Sequence, residues 1–231
     1  MVRPTRTQQI PNLQDAIKDT AWEQIAETGA AALSLRAIAR ALKITAPAIY
    51  NYFPSRDDLV TALIADAFGS LADSLEAASL SRPANDFGAV LSALGVAYRK
   101  WAITYPQRYL LIFGTPIPGY EAPDALTLPA ATRGLVPLIK VLQAAAVSGQ
   151  LQREGLAPLS PRLRSMLKTW QKLAGGAEIE ALYLALVFWS RVHGLVMMEV
   201  GHQFPAAIDD PGELFRRELN STVHQYLKEA R

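Results

Sequence analysis

Residues 34–59 read SLRAIARALKITAPAIYNYFPSRDDL, and this stretch contains two short helical patterns joined by three residues. In the first pattern, apolar residues recur at one-turn and two-turn spacing, which places them on one side of a helix. These residues are Leu35, Ile38, Ala39 and Leu42. Ser34 stands immediately before them, where an N-cap belongs. The pattern therefore predicts a helix that begins after Ser34.

The second pattern repeats this spacing immediately downstream. Its apolar positions are Ala46, Ile49, Tyr50 and Phe53. Thr45 precedes it as a cap, and Pro47 falls in the first turn, where proline is tolerated. Because only residues 43–45 lie between the patterns, the second helix must cross the first steeply, with Ala39 allowing close approach and Ile44 entering the shared core. The stretch therefore predicts a helix-turn-helix.

The face that the second helix leaves outside its apolar stripe is small and polar. In helix-turn-helix proteins the start of the second helix contacts base edges, whereas hydroxyls, basic side chains and helix N-termini hold phosphates. Side chains of these kinds surround the second helix, and Arg40 adds charge beside it. The residues predicted to contact DNA are Ser34, Arg36, Lys43, Thr45, Ala46, Pro47, Ala48, Tyr50, Asn51, Tyr52 and Arg56.

Two short helices with a three-residue turn occur in many helical domains, so spacing alone does not establish DNA binding. The residues around the turn carry a closer match, because residues 21–64 resemble the N-terminal domain of the TetR family of one-component transcriptional regulators. The matching positions are Ile17, Ala21, Ile25, Ala26, Glu27, Gly29, Leu35, Ile38, Ala39 and residues 48–56. The resemblance implies a DNA-reading head built from the first helices of the chain.

The match departs from the family pattern at two places. Lys43 stands where the family usually has a glycine in the turn, and a left-handed backbone there costs another residue about 1 kcal/mol. Leu13 and Gln14 stand where the family often has a basic residue ahead of the first helix. Arg3 and Arg6, on a basic N-terminal arm, are the candidates to replace that phosphate contact, although the arm also fits a disordered tail.

Local charge favours the helix-turn-helix more than the total charge does. The formal net charge is only +2. Up to Arg56, however, all acidic residues fall in the first helix, and the second and third helices contain none. The recognition surface can therefore be positive while the molecule is nearly neutral.

Composition predicts a cytoplasmic protein with two helical modules. Half of the 231 residues are apolar, which suffices for one or two helical cores. The chain has no cysteine, which excludes a disulfide framework and cysteine-ligated zinc. Its start has no apolar segment typical of a signal peptide, and the longest apolar run, residues 181–189, falls short of the roughly 20 residues that span a membrane.

The sequence predicts an all-α fold with two domains. Residues 1–58 form the helix-turn-helix domain with its basic arm, and residues 59–231 form an effector-binding and dimerisation domain. Further helices are predicted at about 55–78, 87–105, 107–113, 128–148, 162–173 and 178–201, with a last one capped by Asp210.

The second domain carries a softer resemblance. Trp189-Ser190-Arg191-Val192-His193-Gly194-Leu195 is similar to the W-x-x-x-H-G signature of one group of TetR C-terminal domains. Residues 98–102 and 105–109 fit the middle helices of that group. The resemblance implies a helical effector-binding domain that dimerises.

Aromatic residues in this domain are candidates to line an effector cavity, because ligand sites in helical folds combine apolar walls with a few polar groups. The residues predicted to contact an effector are Trp101, Tyr105, Tyr109, Phe113, Trp170, Trp189, His193 and Met197. The same residues also fit an ordinary hydrophobic core. His193 in particular fits either a ligand contact or a core histidine bonded to a carbonyl or a tyrosine.

No metal or cofactor is predicted. Glu199 and His202 are one turn apart, but no third ligand accompanies them at helical spacing. The sequence contains no Gly-x-Ser-x-Gly, Gly-rich phosphate loop or paired histidine motif, which argues against an enzyme.

Two apolar stripes near the end of the chain predict a homodimer through the last two helices. The residues are Ile179, Leu182, Tyr183, Leu186, Val187, Ser190, Gly194, Met197 and Met198, followed by Leu214, Phe215, Leu219, Val223 and Leu227. The predicted function is a repressor that binds an inverted-repeat operator on double-stranded DNA and responds to a small hydrophobic or aromatic effector. A helical carrier or sensor of hydrophobic ligands without DNA binding is the alternative.

Overall fold

A computed structural model of the protein describes residues 12–154 and 156–228, and Arg3 and Arg6 of the predicted arm lie outside these residues. The described chain is helical, with a 3-10 turn at Ala30–Ala32 and one isolated antiparallel bridge between Leu151 and Leu227. The all-α fold class is thereby confirmed. The helices are α1 Leu13–Thr28, α2 Leu35–Ala41, α3 Ala46–Tyr50, α4 Arg56–Leu80, α5 Phe87–Thr104, α6 Pro106–Phe113, α7 Asp124–Arg133, α8 Val136–Val147, α9 Pro161–Leu173, α10 Ile179–Val200 and α11 Pro211–Tyr226.

The described chain divides into two compact units. The first unit comprises the residues up to Phe68 together with Tyr105–Pro129, and the second comprises Gly69–Thr104 and the residues from Ala130 onward. The helix α4 therefore contributes to both units. The functional boundary between residues 58 and 59 stays a prediction.

The first unit is built on the core that α1, α2, α3 and the start of α4 share. Ile17, Ile38 and Ile49, one from each of the first three helices, are fully buried in it. Ser34 caps α2 as predicted, because its hydroxyl accepts a hydrogen bond from the Ala37 backbone N–H at 3.4 Å. These contacts fix α3 against α1 and α2 by burial of its apolar side.

The segment after α5 also belongs to the first unit, which the sequence did not predict. Leu111 and Ile112 of α6, and Ile117 and Tyr120 of the following loop, pack against the head core. The Tyr120 and Thr61 hydroxyls lie 2.9 Å apart. The DNA-reading helices are therefore held by a segment that lies more than forty residues further along the chain.

The second unit has α5, α8 and α10 at its centre. Buried residues from each of them include Leu91, Leu142 and Leu184. α11 packs closely on α5, since a Cβ at Gly95 would lie 2.6 Å from Cδ1 of Leu219. By length and composition α10 could also cross a membrane, but core helices of soluble proteins share these properties, and α10 packs against other helices of its unit.

Two sequence expectations are corrected by the second half of the chain. The single helix predicted at 128–148 is two helices, α7 and α8, because Pro137 lacks an N–H and its ring would clash with the carbonyl one turn earlier. Most of the α11 stripe assigned to a partner subunit is buried within the protein's own second unit. Its buried members are Phe215, Leu219, Val223 and Leu227.

Candidate nucleic-acid interface

The turn between α2 and α3 depends on a left-handed residue. Lys43 has φ 55°, as expected from its position where the family usually has glycine. The backbone N–H of Ile44 donates to the carbonyl of Ala39 at 3.0 Å, which closes the turn. Thr45 is then extended, with φ −77° and ψ 147°, and α3 begins. The strained residue therefore sits at the point that sets the angle of α3.

The helix α3 turns its apolar side inward and its small and polar residues outward. Ile49 and Phe53 are buried. Tyr50, which the sequence pattern placed on the apolar stripe, is instead 43% exposed, because a five-residue helix offers only one inward side. The other predicted contacts around α3 are exposed at Thr45, Pro47, Asn51 and Tyr52 and half-buried at Ala46 and Ala48. The outer face of α3 is thus available to a groove.

Two hydroxyl groups of the predicted site differ in what they do. The Ser34 hydroxyl is used as the cap of α2. Thr45 occupies the N-cap position of α3, but its side chain makes no capping hydrogen bond, contrary to the sequence expectation. The Thr45 hydroxyl therefore remains on the outside, at the start of the helix, where phosphate oxygens are bound in such motifs.

The charges around α3 are of one sign. Arg36, Arg40 and Lys43 are exposed, and residues 34–54 contain no acid. Lys18 of α1, by contrast, is paired with Asp66 at 2.7 Å. Three exposed cations near the N-terminus of α3, with no acid in the same stretch, give a positive surface that suits DNA phosphates.

Arg56 has a structural task in the first unit. Its Nη2 donates to the carbonyls of Ala30 and Ala31, each at 3.2 Å, and so ties the start of α4 to the turn after α1. The side chain is about one-third exposed. The contact of Arg56 with phosphate therefore stays a prediction beside an internal role that the sequence did not reveal.

Comparisons with known proteins identify the family of the chain. Residues 17–63 match the family described as bacterial regulatory proteins, tetR family. Residues 91–222 match the family described as tetracyclin repressor-like, C-terminal domain. The chain belongs to the TetR family of transcriptional regulators.

Individual relatives agree with this membership. The HTH-type transcriptional regulator Rv1816 of Mycobacterium tuberculosis is 33% identical over 213 residues, which is 91% of this chain and 91% of the relative. The crystal structure of SCO4313 is 40% identical with a TM-score of 0.75, and the match covers 92% of this chain and 98% of that one. The TetR family regulator PfmR from Thermus thermophilus is similar in fold alone, at 15% identity and a TM-score of 0.61, over 96% of this chain and all of that one.

Family membership establishes a DNA-binding transcriptional regulator with a helix-turn-helix. The family consists of regulators rather than enzymes. Its members bind DNA and small-molecule ligands and form dimers. The narrower resemblance to the W-x-x-x-H-G group stays a prediction.

The predicted effector residues do not all belong to one unit. Tyr105, Tyr109 and Phe113 lie in the first unit, where Tyr109 is fully buried and its ring is 5.2 Å from that of Phe113. In the second unit, Trp170 packs with the small cluster around Leu167. The remaining second-unit candidates are Trp101, Trp189, His193 and Met197.

A hydrogen-bonded aromatic group surrounds His193. Its Nδ1 lies 2.7 Å from the Tyr98 hydroxyl, and its ring stacks on Trp189 at 5.1 Å. In the same unit, Trp101 Nε1 donates to the Ser70 hydroxyl at 3.0 Å. The structure thus gives His193 the tyrosine partner of the core interpretation, and its contact with a ligand stays a prediction. Sequence reasoning missed Tyr98 as a site residue, although it lies one turn before Trp101.

Burial sets the charge of this histidine. Burial lowers the pKa of His193 below its usual value of about 6.5. The imidazole is therefore neutral at neutral pH and keeps one donor and one acceptor. A neutral ring of this kind suits an apolar environment with few hydrogen bonds.

The sequence predicts no metal site, and the pair that it considered, Glu199 and His202, lies at the end of α10 and just after it. Glu199 is engaged by Arg99, whose Nε and Nη2 donate to its carboxylate at 2.7 and 2.5 Å. Within residues 12–154 and 156–228 no group of three or more metal-ligating side chains occurs. The Glu199 carboxylate therefore serves to join α5 to α10.

Replacement of Lys43 by glycine should separate backbone strain from DNA binding. Lys43→Gly should raise the free energy of unfolding by up to about 1 kcal/mol, because glycine adopts φ 55° without strain. The same change should weaken DNA binding and reduce its salt dependence if the ammonium holds a phosphate. Urea unfolding and fluorescence anisotropy measure the two effects, with Lys43→Asn as the control that tolerates the left-handed region without the charge. A less stable glycine variant would contradict the strain assignment.

Stability should fall in acid because of His193. The pKa of His193 is lower in the folded state, so the folded state binds fewer protons than the unfolded state. The contribution of His193 to the free energy of unfolding is therefore complete above about pH 6.5. It is lost as the pH falls through the lower pKa of the folded state. Urea unfolding from pH 8 to pH 5 should therefore show a smaller acid loss in His193→Gln. Tyr98→Phe, which removes the 2.7 Å hydrogen bond but keeps the imidazole, should retain the acid loss. Equal pH profiles for wild type and His193→Gln would refute this origin.

Proposed function

We propose that the protein is a ligand-responsive repressor that binds an inverted-repeat operator as a homodimer. The observation that supports it most directly is the exposed start of α3, with Thr45 outside and with Arg36, Arg40 and Lys43 beside it in an acid-free stretch. The alternative of a carrier without DNA binding disagrees with the family to which the chain belongs.

The proposed dimer uses α10 and the outer side of α11. Leu186 and Met198 of α10 are 38% and 36% exposed, and Ser190 and Gly194 lie between them at four-residue spacing. A Cβ at Gly194 would meet no atom within 4 Å, so another helix could approach closely. Two-fold symmetry then presents two α3 helices to half-sites roughly 34 Å apart or a multiple of that distance.

The proposed effector is a small hydrophobic or aromatic molecule. Support comes from His193 and Trp189 in the second unit, where the stacked indole offers apolar surface and the neutral imidazole offers hydrogen bonding. Such a combination of apolar walls with few polar groups is typical of ligand sites.

Coupling between effector and operator is proposed to run through α4 and α6. α4 contributes to both units, and α6 begins where the chain passes from the second unit into the first. Within the first unit, the Arg108 guanidinium lies 5.3 Å from the centre of the Trp22 ring on α1 and 4.7 Å from that of Tyr105. An effector that prefers one position of α6 would thereby change the head, with a coupling free energy of about 1–3 kcal/mol.

Substitutions on α3 should separate base reading from phosphate binding. Tyr50→Ala should weaken binding to every duplex about equally, because a phosphate contact carries no sequence information. Ala48→Ser should change which operator variants are preferred, because residue 48 is proposed to face the bases. Anisotropy titrations with an operator and single-base variants measure both. An equal loss on all sequences from Ala48→Ser would remove it from base reading.

Release of Arg108 should loosen the head. Arg108→Met keeps the apolar stem but removes the two cation–π contacts, so amide hydrogen exchange in α1 should accelerate several-fold. Mass-spectrometric exchange on peptides covering Leu13–Thr28 measures this, with Lys100→Met on α5 as the matched loss of an exposed cation. Unchanged exchange in α1 would show that Arg108 does not hold the head.

A further inference from the structure

The helix α9 carries charge that neither the fold nor the proposed function explains. Its thirteen residues, Pro161–Leu173, include no acid. Its cations are Arg162, Arg164, Lys168 and Lys172, and all of them are exposed. The opposite side is apolar, so α9 is an amphipathic helix whose outer face carries cations and no acid, with Met166 61% exposed at its edge.

The placement of most of these charges is unfavourable for the helix that bears them. Arg164, Lys168 and Lys172 follow one another at four-residue spacing, where like charges repel. Arg162 and Arg164 stand in the first turn, at the end of the helix where the macrodipole disfavours cations. Lys172 stands in the last turn, where the macrodipole favours a cation, so the repulsion along the row and the two first-turn arginines are the features that an anionic partner would explain.

The apolar side of α9 is already used within the second unit. Leu167 is 2% exposed, and Leu163 and Trp170 pack with it in a small cluster that includes Ala177 and Leu182. Ser160 caps the helix by accepting from the Leu163 backbone N–H at 3.2 Å. Leu163, Leu167 and Trp170 are therefore not free to insert into a lipid surface, and the exposed Met166 alone is much less than the apolar face that a membrane-binding amphipathic helix needs.

The basic face is largely without partners in the protein. Arg164 lies 3.8 Å from Glu180, and both side chains are more than one-third exposed. Among the residues that the structure describes, Arg162, Lys168 and Lys172 form no ion pair. These cations are therefore available to an external polyanion.

The row is long enough to lie along several phosphates of a nucleic-acid backbone. From Arg164 to Lys172 the helix advances eight residues, or about 12 Å. One strand of duplex DNA carries a phosphate every 3.4 Å of axis, so that this length holds three or four phosphates. Ser165 lies among the cations and is exposed, so its hydroxyl can donate a hydrogen bond to a phosphate oxygen.

We propose that the outer face of α9 binds the phosphate backbone of duplex DNA without sequence preference, as a second contact separate from α3. The proposal rests on the DNA-binding function of the family and adds a surface on the second unit. A regulator with this contact can hold a DNA segment beyond the bases that its heads read.

The test uses the full-length protein and a duplex of scrambled sequence. In a background with the head disabled by Arg36→Glu and Lys43→Glu, binding to this duplex should persist at low salt. Lys168→Gln with Lys172→Gln should then remove it, whereas Lys168→Arg with Lys172→Arg should retain it. With an intact head, the double glutamine variant should reduce the slope of log affinity against log salt by about 1.8, since each phosphate contact contributes roughly 0.9.

The matched control removes the same charge from exposed lysines elsewhere in the second unit, with Lys100→Gln and Lys140→Gln. Loss of binding in this control as large as in the α9 variant would overturn the proposal, as would a head-disabled protein that does not bind the scrambled duplex. Binding of wild type to phosphatidylserine vesicles, with no effect of the α9 changes on duplex binding, would assign the surface to a membrane and overturn it as well. The preference of the intact protein for operator over scrambled duplex tests the heads separately, so the two failures are distinguishable.

Discussion

The left-handed backbone of Lys43 is the constraint on which the DNA-reading head depends. A three-residue connection can bring α3 across α2 only if the chain reverses abruptly, and φ 55° at Lys43 provides that reversal. The cost is acceptable because the reversal lets Ile49 and Phe53 reach the common core, where they are 0% and 4% exposed. Burial of these two large side chains recovers about 1.5–3 kcal/mol each, more than the strain of one residue. The same turn puts the exposed Lys43 beside the start of α3, where its phosphate contact is predicted.

Helix α3 is too short to be stable alone, since five residues form scarcely more than one turn. Its orientation is therefore set from outside, by α1 and α2 on one side and by the supports that tie the head together. Arg56 bonds to the carbonyls of Ala30 and Ala31, and Tyr120 meets Thr61 on α4. The proposed coupling through α4 and α6 fits this arrangement, because α3 has little rigidity of its own.

The local features of the head could be predicted from the sequence, and its long-range supports could not. Ser34 as a cap follows from its neighbours in the chain, and Lys43 as a left-handed residue follows from its place in the family's turn; both predictions are confirmed. The Tyr120–Thr61 contact joins residues 59 positions apart, and no periodicity encodes it. Periodicity was also insufficient for the apolar stripe of α11. It indicates that Leu219 is buried, but it does not indicate whether the same chain or a partner subunit buries it. The same holds for His193, whose apolar surroundings were evident while its bond to Tyr98 required the fold.

The cations that stabilise the fold have different surroundings from the cations that are proposed to bind DNA. Where cations serve the fold, they have partners: Arg99 is paired with Glu199, and Arg133 donates to Asp73 and Glu76. Around α3 and along α9, most cations stand without acids, and Arg162 and Arg164 in the first turn of α9 oppose the helix dipole as well. A nearly neutral protein can therefore present two positive surfaces, because its acids lie on other elements, such as Asp15 and Asp19 on α1 and Asp73 and Glu76 on α4. The formal charge of +2 conceals this division, and only the distribution of charge over the helices reveals where a polyanion can bind.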